Sequence, residues 1–264
     1  MSKIIFNLFP NGKSKCVTFS YDDGRTYDIK MTEMFNKYGA KCTYNLNTSN
    51  VGRPNYIDAD FVRELSKTHE IACHGYVHPF LERLPLGEAL KEIYEDKKGL
   101  EEIIDKPVFG MAYPFGTYDN DVLTALKAVD IKYSRTVNST NGFGVPRNFL
   151  EWHPTCHHND CIEPAERFVK TNRGDRFTVL YIWGHSYEFN DNNNWEILEK
   201  ALDILSTDDK IWYATNGELY DYLTAIKSLR VAINHKSVYN PTCITVYATV
   251  DGKPCEFKPG LTRI

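Results

Sequence analysis

Two adjacent aspartates are the first residues of this sequence that point to chemistry. Asp22 and Asp23 end a mostly apolar run and precede a glycine in VTFSYDDGRTYD, residues 17–28. Two neighbouring carboxylates repel each other, so their position at the end of a strand needs a compensating charge. A divalent cation would take one aspartate as a ligand and leave the other free to act as a base toward water.

Two histidines offer further ligands for such a cation. His74 and His78 lie four residues apart in EIACHGYVHP. Gly75 and Pro79 disfavour a helix at this point, so we predict a loop that leaves a strand. One carboxylate and two imidazoles form a competent divalent-metal site with an open position. A pair at this spacing is also found in ordinary structural roles, and it gains weight only beside the aspartates.

Two later segments place more functional groups after apolar runs. MAYPFGTYD contains a turn in which Tyr113 and Phe115 provide aromatic walls, and VLYIWGHSYEF is an apolar run that ends in Gly184 and His185. The first is on its own an ordinary turn. The second could be a core histidine, but its flanking residues are typical of the rim of a site.

The segments that must position these residues alternate between strand and helix patterns for about two hundred residues, which predicts βα units around a parallel sheet or barrel. After a short first strand pair ending near Ser20, we predict helices over residues 28–38, 58–68, 86–104, 120–129, 163–171, 195–205 and 217–227. We predict strands over residues 41–46, 70–73, 107–112, 131–134, 177–183 and 210–213. The loops that follow parallel strands in a barrel share one face, where the candidate residues would meet.

The last part of the chain has a different pattern of apolar residues. From residue 229 the apolar residues alternate with period two, and Asn-Pro, Asp-Gly and Pro-Gly pairs interrupt them. This pattern predicts antiparallel strands joined by tight turns. We therefore divide the chain into an α/β barrel domain, residues 1–228, and a small antiparallel β appendage, residues 229–264, packed on the barrel.

Composition excludes several classes of partner. The 264 residues carry a formal net charge of −4, and the basic residues are scattered, so we expect neither a nucleic-acid groove nor a membrane surface. No apolar run is long enough for a membrane helix and no signal peptide is visible, which predicts a cytoplasmic protein. The seven cysteines fit a reducing compartment. Cys156, His157, His158 and Cys161 match no familiar zinc-knuckle spacing, and we expect no second metal there.

The four segments together resemble the NodB-homology polysaccharide deacetylases, carbohydrate esterase family four. TFSYDDG resembles the Thr-Phe-Asp-Asp-Gly signature with two extra residues, HGYVH matches the His-x-x-x-His motif, and AYPFG and LYIWGH resemble the third and fifth motifs. The resemblance implies a distorted (β/α)7 barrel that removes N- or O-acetyl groups from a carbohydrate. It also implies one divalent ion, with zinc expected and cobalt, nickel, iron or manganese as alternatives.

The resemblance also assigns roles to individual residues. Asp22 corresponds to the general base and His185 to the general acid. Asp23, His74 and His78 correspond to the metal ligands. A backbone amide near Tyr113 or Phe115 would help to hold the oxyanion, as the third motif does in the family.

Two departures from the family pattern generate further predictions. Ala112 stands where the third motif has an arginine, so the group that orients the base is absent from that position. We predict that Arg135, after the next strand, replaces this guanidinium, in preference to Arg25 on a nearby loop. The fourth motif is not clear: Trp152 is present without a matching aspartate, and we interpret Trp152 and His157 as supporting or substrate-rim residues.

Two other functions stay open from the sequence. The same ligands would serve an amidohydrolase that acts on a small non-sugar amide, for which a closed aromatic pocket would be expected instead of an open groove. A catalytically silent sugar-binding barrel is the third possibility, although such a module has no need of both a base and an acid. The sequence gives no indication of the oligomeric state, and we expect an acetylated carbohydrate as the substrate.

Overall fold

The computed structural model of the protein describes residues 2–264, and a parallel sheet forms its centre. The strands are β1 (Ile4–Ile5), β2 (Lys15–Asp22), β3 (Cys42–Leu46), β4 (Glu70–Cys73), β5 (Gly110–Ala112), β6 (Tyr133–Arg135), β7 (Cys156–His157), β8 (Val179–His185), β9 (Ile211–Tyr213), β10 (Arg230–Val231), β11 (Ser237–Asn240), β12 (Val246–Val250), β13 (Lys253–Phe257) and β14 (Gly260–Arg263).

The parallel sheet follows the order β6-β5-β4-β3-β2-β8-β7, and β9 pairs with the first residues of β2. Every residue of β2 is buried, as expected for a strand covered on both faces. Helices cover the outside of the sheet. The α/β class and the distorted (β/α)7 barrel predicted from the sequence are confirmed.

Eight helices connect and cover the described strands. They are α1 (Asp28–Lys37), α2 (Ala59–Leu65), α3 (Leu86–Ile104), α4 (Asn120–Ala128), α5 (Ile162–Lys170), α6 (Ser186–Asp191), α7 (Glu196–Ser206) and α8 (Asn216–Ser228). Seven lie where the sequence predicts helices. The exception is α6, whose residues were expected to form the rim of a site and not a helix. Local signals fix several helix starts, such as the Asp58 side chain that accepts the Phe61 amide before α2.

An irregular segment, residues 152–157, joins the two edges of the sheet. Trp152 forms a parallel bridge with Arg135 at the end of β6, and its amide donates to the Ser134 carbonyl at 3.0 Å. A few residues later, β7 pairs with β8. Backbone hydrogen bonding therefore continues from one edge strand to the other, and the sheet curls into a barrel.

The C-terminal strands form two antiparallel sheets of three strands, β1-β12-β13 and β10-β11-β14. The expectation that the first strand belongs to a pair ending near Ser20 is wrong, because β1 pairs with β12 instead. Ile4 packs against the apolar cluster formed by Val246, Ala248 and Val250, which buries more apolar surface than an isolated N-terminal pair would. The proposed boundary at residue 229 stays a prediction. No helix within residues 2–264 has the length and apolar character needed to cross a membrane.

The close approach of β7 and β8 generates a prediction for Gly184. A Cβ atom on Gly184 would lie 2.0 Å from Nδ1 of the buried His158. Gly184→Ala should therefore lower the free energy of unfolding by about 1–3 kcal/mol, as overpacked cores do. Urea unfolding would measure the loss. Gly87→Ala, whose new methyl group would meet open space in α3, is the matched control and should not destabilise the protein.

Candidate active site

The predicted site residues meet at the carboxyl ends of the parallel strands. Asp22 is the last residue of β2, His74 follows β4 directly, and Arg135 and His185 end β6 and β8. Parallel strands in a barrel direct these ends to one face. A cavity of about 520 Å³ opens there, with acidic and imidazole groups at its base. Its other walls are Tyr113, Phe115, Val137, Trp183 and Tyr187.

Asp22 is buried and uses both of its carboxylate oxygens. Oδ1 accepts a hydrogen bond of 2.8 Å from the Asn45 side chain on β3, and Oδ2 pairs with the Arg135 guanidinium. Burial by itself would raise the pKa of Asp22, but Arg135 and the neighbouring imidazoles hold this pKa below its ordinary value. The carboxylate is therefore ionised and can accept a proton.

Arg135 occupies the position predicted for the missing guanidinium. Its side chain is fully buried, lies against the Trp183 ring at 4.4 Å and donates a 3.2 Å hydrogen bond to the Thr136 carbonyl. The alternative donor, Arg25, lies over the Tyr56 ring at 4.7 Å instead. The structure thus brings Arg135, and not Arg25, to Asp22.

Asp23 follows Asp22 but faces a different environment. Its backbone has φ of 79°, in the left-handed region that non-glycine residues rarely adopt. Its Oδ1 lies 3.7 Å from Nε2 of His74 and 3.9 Å from Nε2 of His78, and the two Nε2 atoms are 3.0 Å apart. Ligand atoms around tetrahedral zinc are separated by roughly 3.3–3.6 Å, so these three atoms fit one divalent ion.

Hydrogen bonds prepare His74 as a ligand. Its Nδ1 lies 2.8 Å from the Ala112 carbonyl, which can only accept, so Nδ1 carries the proton and Nε2 presents a lone pair to the cavity. The amide of His74 donates to Asp96 at 2.8 Å. Asp96 is fully buried on α3 and also accepts from Thr48, and burial raises its pKa to about 7. Asp96 thus ties the His74 loop to a helix.

An aromatic stack supports His78. The His78 ring meets Phe115 edge-on at 4.5 Å, and Phe115 is stacked on Phe80 at 3.7 Å. Both His78 and Phe115 have positive φ, of 59° and 57°. Burial and the nearby His74 lower the pKa of His78, which favours the neutral imidazole that binds a metal ion. The loop is therefore held in an unusual conformation that suits a ligand.

His185 lies on the other side of Asp22. Its Nε2 is 3.9 Å from Oδ2 of Asp22, and its Nδ1 is 3.4 Å from Oε1 of Glu188 on α6. Burial would lower the pKa of His185, but Glu188 and the aspartates raise it above its ordinary value. This environment favours an imidazolium that can donate a proton toward the cavity.

The remaining predicted residues have supporting positions. Tyr113 and Phe115 line the cavity, but the Tyr113 amide already donates to the Arg135 carbonyl at 3.0 Å, so of the two only the Phe115 amide is left as a candidate oxyanion donor. Trp152 and His157 do not line the cavity, and the His157 ring meets the wall residue Trp183 edge-on at 4.8 Å. The Trp152 ring is buried against the Tyr181 ring. The backbone of Trp152 belongs to the segment that joins the two edges of the sheet.

Three side chains that contact the predicted site residues were not predicted from the sequence. Asn45, Asp96 and Glu188 carry no motif, although each contacts a predicted site residue. Asn45 had a weak signal in the sequence, since a polar residue within a buried strand needs a hydrogen-bond partner.

Within residues 2–264, two groups of donor atoms converge closely enough for a metal ion, and neither contains a cysteine. They are Asp23, His74 and His78, and His157, His185 and Glu188.

Part of the chain matches a known protein family in sequence. Residues 10–134 match the sequence model of the polysaccharide deacetylases. These residues belong to the polysaccharide deacetylase family. The predicted family, which is a family of hydrolases, is therefore confirmed, and the matched residues include Asp22, Asp23, His74 and His78. No curated protein matches the chain in sequence.

Solved structures show the same fold at low identity. A Mycobacterium smegmatis protein assigned to the polysaccharide deacetylases is 16% identical with a TM-score of 0.63, covering 83% of this chain and 93% of that chain. The carbohydrate esterase family 4 domain of a multidomain xylanase, from the hindgut metagenome of Trinervitermes trinervoides, is 15% identical with a TM-score of 0.58, covering 80% of this chain and 92% of that chain.

A third similar structure shows that this fold also occurs without activity. It is a carbohydrate esterase family 4 pseudoenzyme from Bacillus anthracis, 17% identical with a TM-score of 0.55, covering 81% of this chain and 67% of that chain. The chain spans 61% of the length of a Streptococcus pyogenes deacetylase and 44% of that of a Bacillus cereus polysaccharide deacetylase. The activity of the chain must therefore be argued from its own residues.

The convergence of Asp23, His74 and His78 predicts that His78→Ala weakens binding of a divalent ion, because it removes one of three donors. Elemental analysis of zinc-loaded protein would measure bound metal per chain. His235→Ala is the control, since His235 lies in the C-terminal segment and contacts the Ser2 carbonyl. Equal metal in the two variants would contradict the assignment.

The contact between Arg135 and Asp22 predicts that Arg135→Lys impairs turnover. An ammonium group cannot reproduce the planar guanidinium or its stacking on Trp183. Arg135→Ala should be worse, because it leaves the Asp22 carboxylate buried without its cation, which typically costs about 3–5 kcal/mol. Measured turnover and urea unfolding would separate the two effects. Normal turnover by Arg135→Ala would exclude this role.

Proposed function

We propose that the protein is a metal-dependent hydrolase that removes N- or O-acetyl groups from a carbohydrate. The observation that supports this function best is the sorting of the two adjacent aspartates. Nε2 of His74 lies 3.7 Å from both carboxylates. Asp22 is paired with Arg135, whereas Asp23 has no such cation within residues 2–264 and also lies 3.9 Å from Nε2 of His78. A base and a cation site therefore lie side by side at the bottom of one cavity.

The ligands in this proposal are Asp23, His74 and His78. Two neutral imidazoles and one carboxylate favour zinc, with cobalt, nickel, iron or manganese as alternatives. When bound, the ion would supply a Lewis acid for the acetyl carbonyl. The residues fit this group because the Ala112 carbonyl fixes the tautomer of His74 and leaves its Nε2 lone pair directed at the site.

The chain's own residues carry the proton transfers. Asp22 is ionised and accepts the proton of the attacking water, while Arg135 and Asn45 prevent the carboxylate from rotating. His185 presents Nε2 to the same cavity and gives a proton to the departing nitrogen or oxygen. The Phe115 amide is the candidate donor for the oxyanion.

The cavity favours a short substrate or the end of a longer one. Its volume of about 520 Å³ is within the range of small-molecule pockets, and its aromatic walls provide flat faces on which a sugar ring can stack. We propose an acetylated carbohydrate as the substrate. An amidohydrolase acting on a small non-sugar amide would use the same residues and is tested as the second candidate, because the cavity is a pocket with aromatic walls.

A substrate panel tests the proposal directly. Zinc-reconstituted protein should release acetate from N- or O-acetylated mono- and oligosaccharides faster than from small acetamides without a sugar. Faster hydrolysis of the small amides would favour the amidohydrolase. Sugar binding without any acetate release would favour a catalytically silent sugar-binding barrel.

The role of Asp22 predicts a specific variant. Asp22→Asn keeps the shape of the side chain but cannot accept the proton, so turnover should fall by roughly a hundredfold or more while the bound metal is retained. Asp23→Asn should instead lose metal. Acetate release and elemental analysis of both variants would measure the difference. If Asp22→Asn loses metal as completely as Asp23→Asn, the two roles are exchanged.

A further inference from the structure

Glu188 is surrounded by three histidines that the proposed chemistry does not fully use. Its Oε2 lies 3.0 Å from Nε2 of His157 and 3.1 Å from Nε2 of His158, and its Oε1 lies 3.4 Å from Nδ1 of His185. Burial alone would raise the pKa of Glu188, but the three imidazoles hold this pKa far below its ordinary value. Glu188 is therefore an anion that only accepts hydrogen bonds.

The protonation of His157 distinguishes a hydrogen-bond network from a metal site. Nδ1 of His157 accepts the Asn159 amide at 3.3 Å, so Nδ1 has no proton. Nε2 of a neutral His157 therefore carries the proton and faces Glu188 as a donor. A metal ion would need the lone pair of that same Nε2. This cluster consequently favours proton donors around a carboxylate over a second cation.

The two histidines that face Glu188 are fixed by the barrel. His157 ends β7, and the ring of His158 is buried, stacked on Phe189 at 4.0 Å and packed over Gly184. Because β7 pairs with β8, the strand that carries His185, the histidine pair cannot move independently of His185. Glu188 is thus held between a rigid pair on one side and His185 on the other.

We propose that Glu188, clamped by His157 and His158, is a positioning residue that fixes the ring orientation and tautomer of His185. In this proposal Oε1 of Glu188, 3.4 Å from Nδ1 of His185, attracts the Nδ1 proton and leaves Nε2 facing Asp22, 3.9 Å away. When His185 takes up a second proton, the imidazolium carries it on Nε2 and presents it to the cavity without rotating. The effect on turnover rests on the proposed function, whereas the effect on the His185 tautomer does not.

Glu188→Gln tests the proposal with little change in size. In zinc-loaded protein, at a pH high enough for His185 to be neutral, nitrogen-15 NMR of the imidazoles should show the His185 proton on Nδ1 in the parent protein and a mixture of tautomers in the variant. The kcat for acetate release should fall by about 10- to 100-fold, the usual effect of losing a group that orients a site residue, with KM little changed. Zinc content should stay the same.

Two further variants separate positioning from a general structural effect. Glu188→Asp keeps the charge and should restore part of the kcat and of the Nδ1 signal. Glu196→Gln, at an exposed position that begins α7, makes the same charge change nearby and should alter neither. The clamp is tested by His157→Phe, which should lower kcat several-fold in the parent protein and have no further effect in Glu188→Gln.

Three results would overturn the proposal. The first is an unchanged His185 tautomer in Glu188→Gln. The second is loss of zinc from Glu188→Gln, which would make the cluster a metal site. The third is additive effects of His157→Phe and Glu188→Gln on kcat. If the parent protein releases no acetate from any substrate, the proposed function fails, but the NMR comparison still decides whether Glu188 positions His185.

Discussion

The buried ion pair of Asp22 and Arg135 is the interaction on which the geometry of the site depends. The two residues end strands β2 and β6, which are separated in the sheet by three other strands. Their contact therefore exists only because the sheet curls and residues 152–157 join its edges. Any change that opened the barrel would separate two buried charges, which is strongly unfavourable. The ion pair thus couples closure of the barrel to the state of the base.

The same pair explains how two neighbouring carboxylates coexist. Both carboxylates lie 3.7 Å from Nε2 of His74, but only Asp22 pairs with the Arg135 guanidinium. Asp22 receives a permanent cation from the protein, the Arg135 guanidinium. In the proposed function Asp23 would receive a metal cation that can dissociate, and these two positive charges would offset the repulsion between the carboxylates.

Local patterns in the sequence predicted most of the elements and the convergence of Asp23, His74 and His78, because strand ends, turns and helix caps are encoded by neighbouring residues. Arg135 was predictable from strand order, since it follows the strand next to the Ala112 loop. Glu188 was not, because two of its three histidine partners lie in and directly after β7, a two-residue strand with no periodicity. Asp96 lies within an otherwise regular helix, and the partnership of β1 with β12 depends on residues at the other end of the chain.

The position of β2 has a consequence for synthesis of the chain. This central strand emerges from the ribosome first among the barrel strands, yet β8 and β9, two of its three partners, lie in the last third of the sequence. Until those residues are made, one edge of a strand that is fully buried in the folded protein has no partner, which is a typical hazard for aggregation. The family-matching residues 10–134 therefore lack two of the strands that pair with β2, and assembly of the site must wait until nearly the whole barrel has been translated.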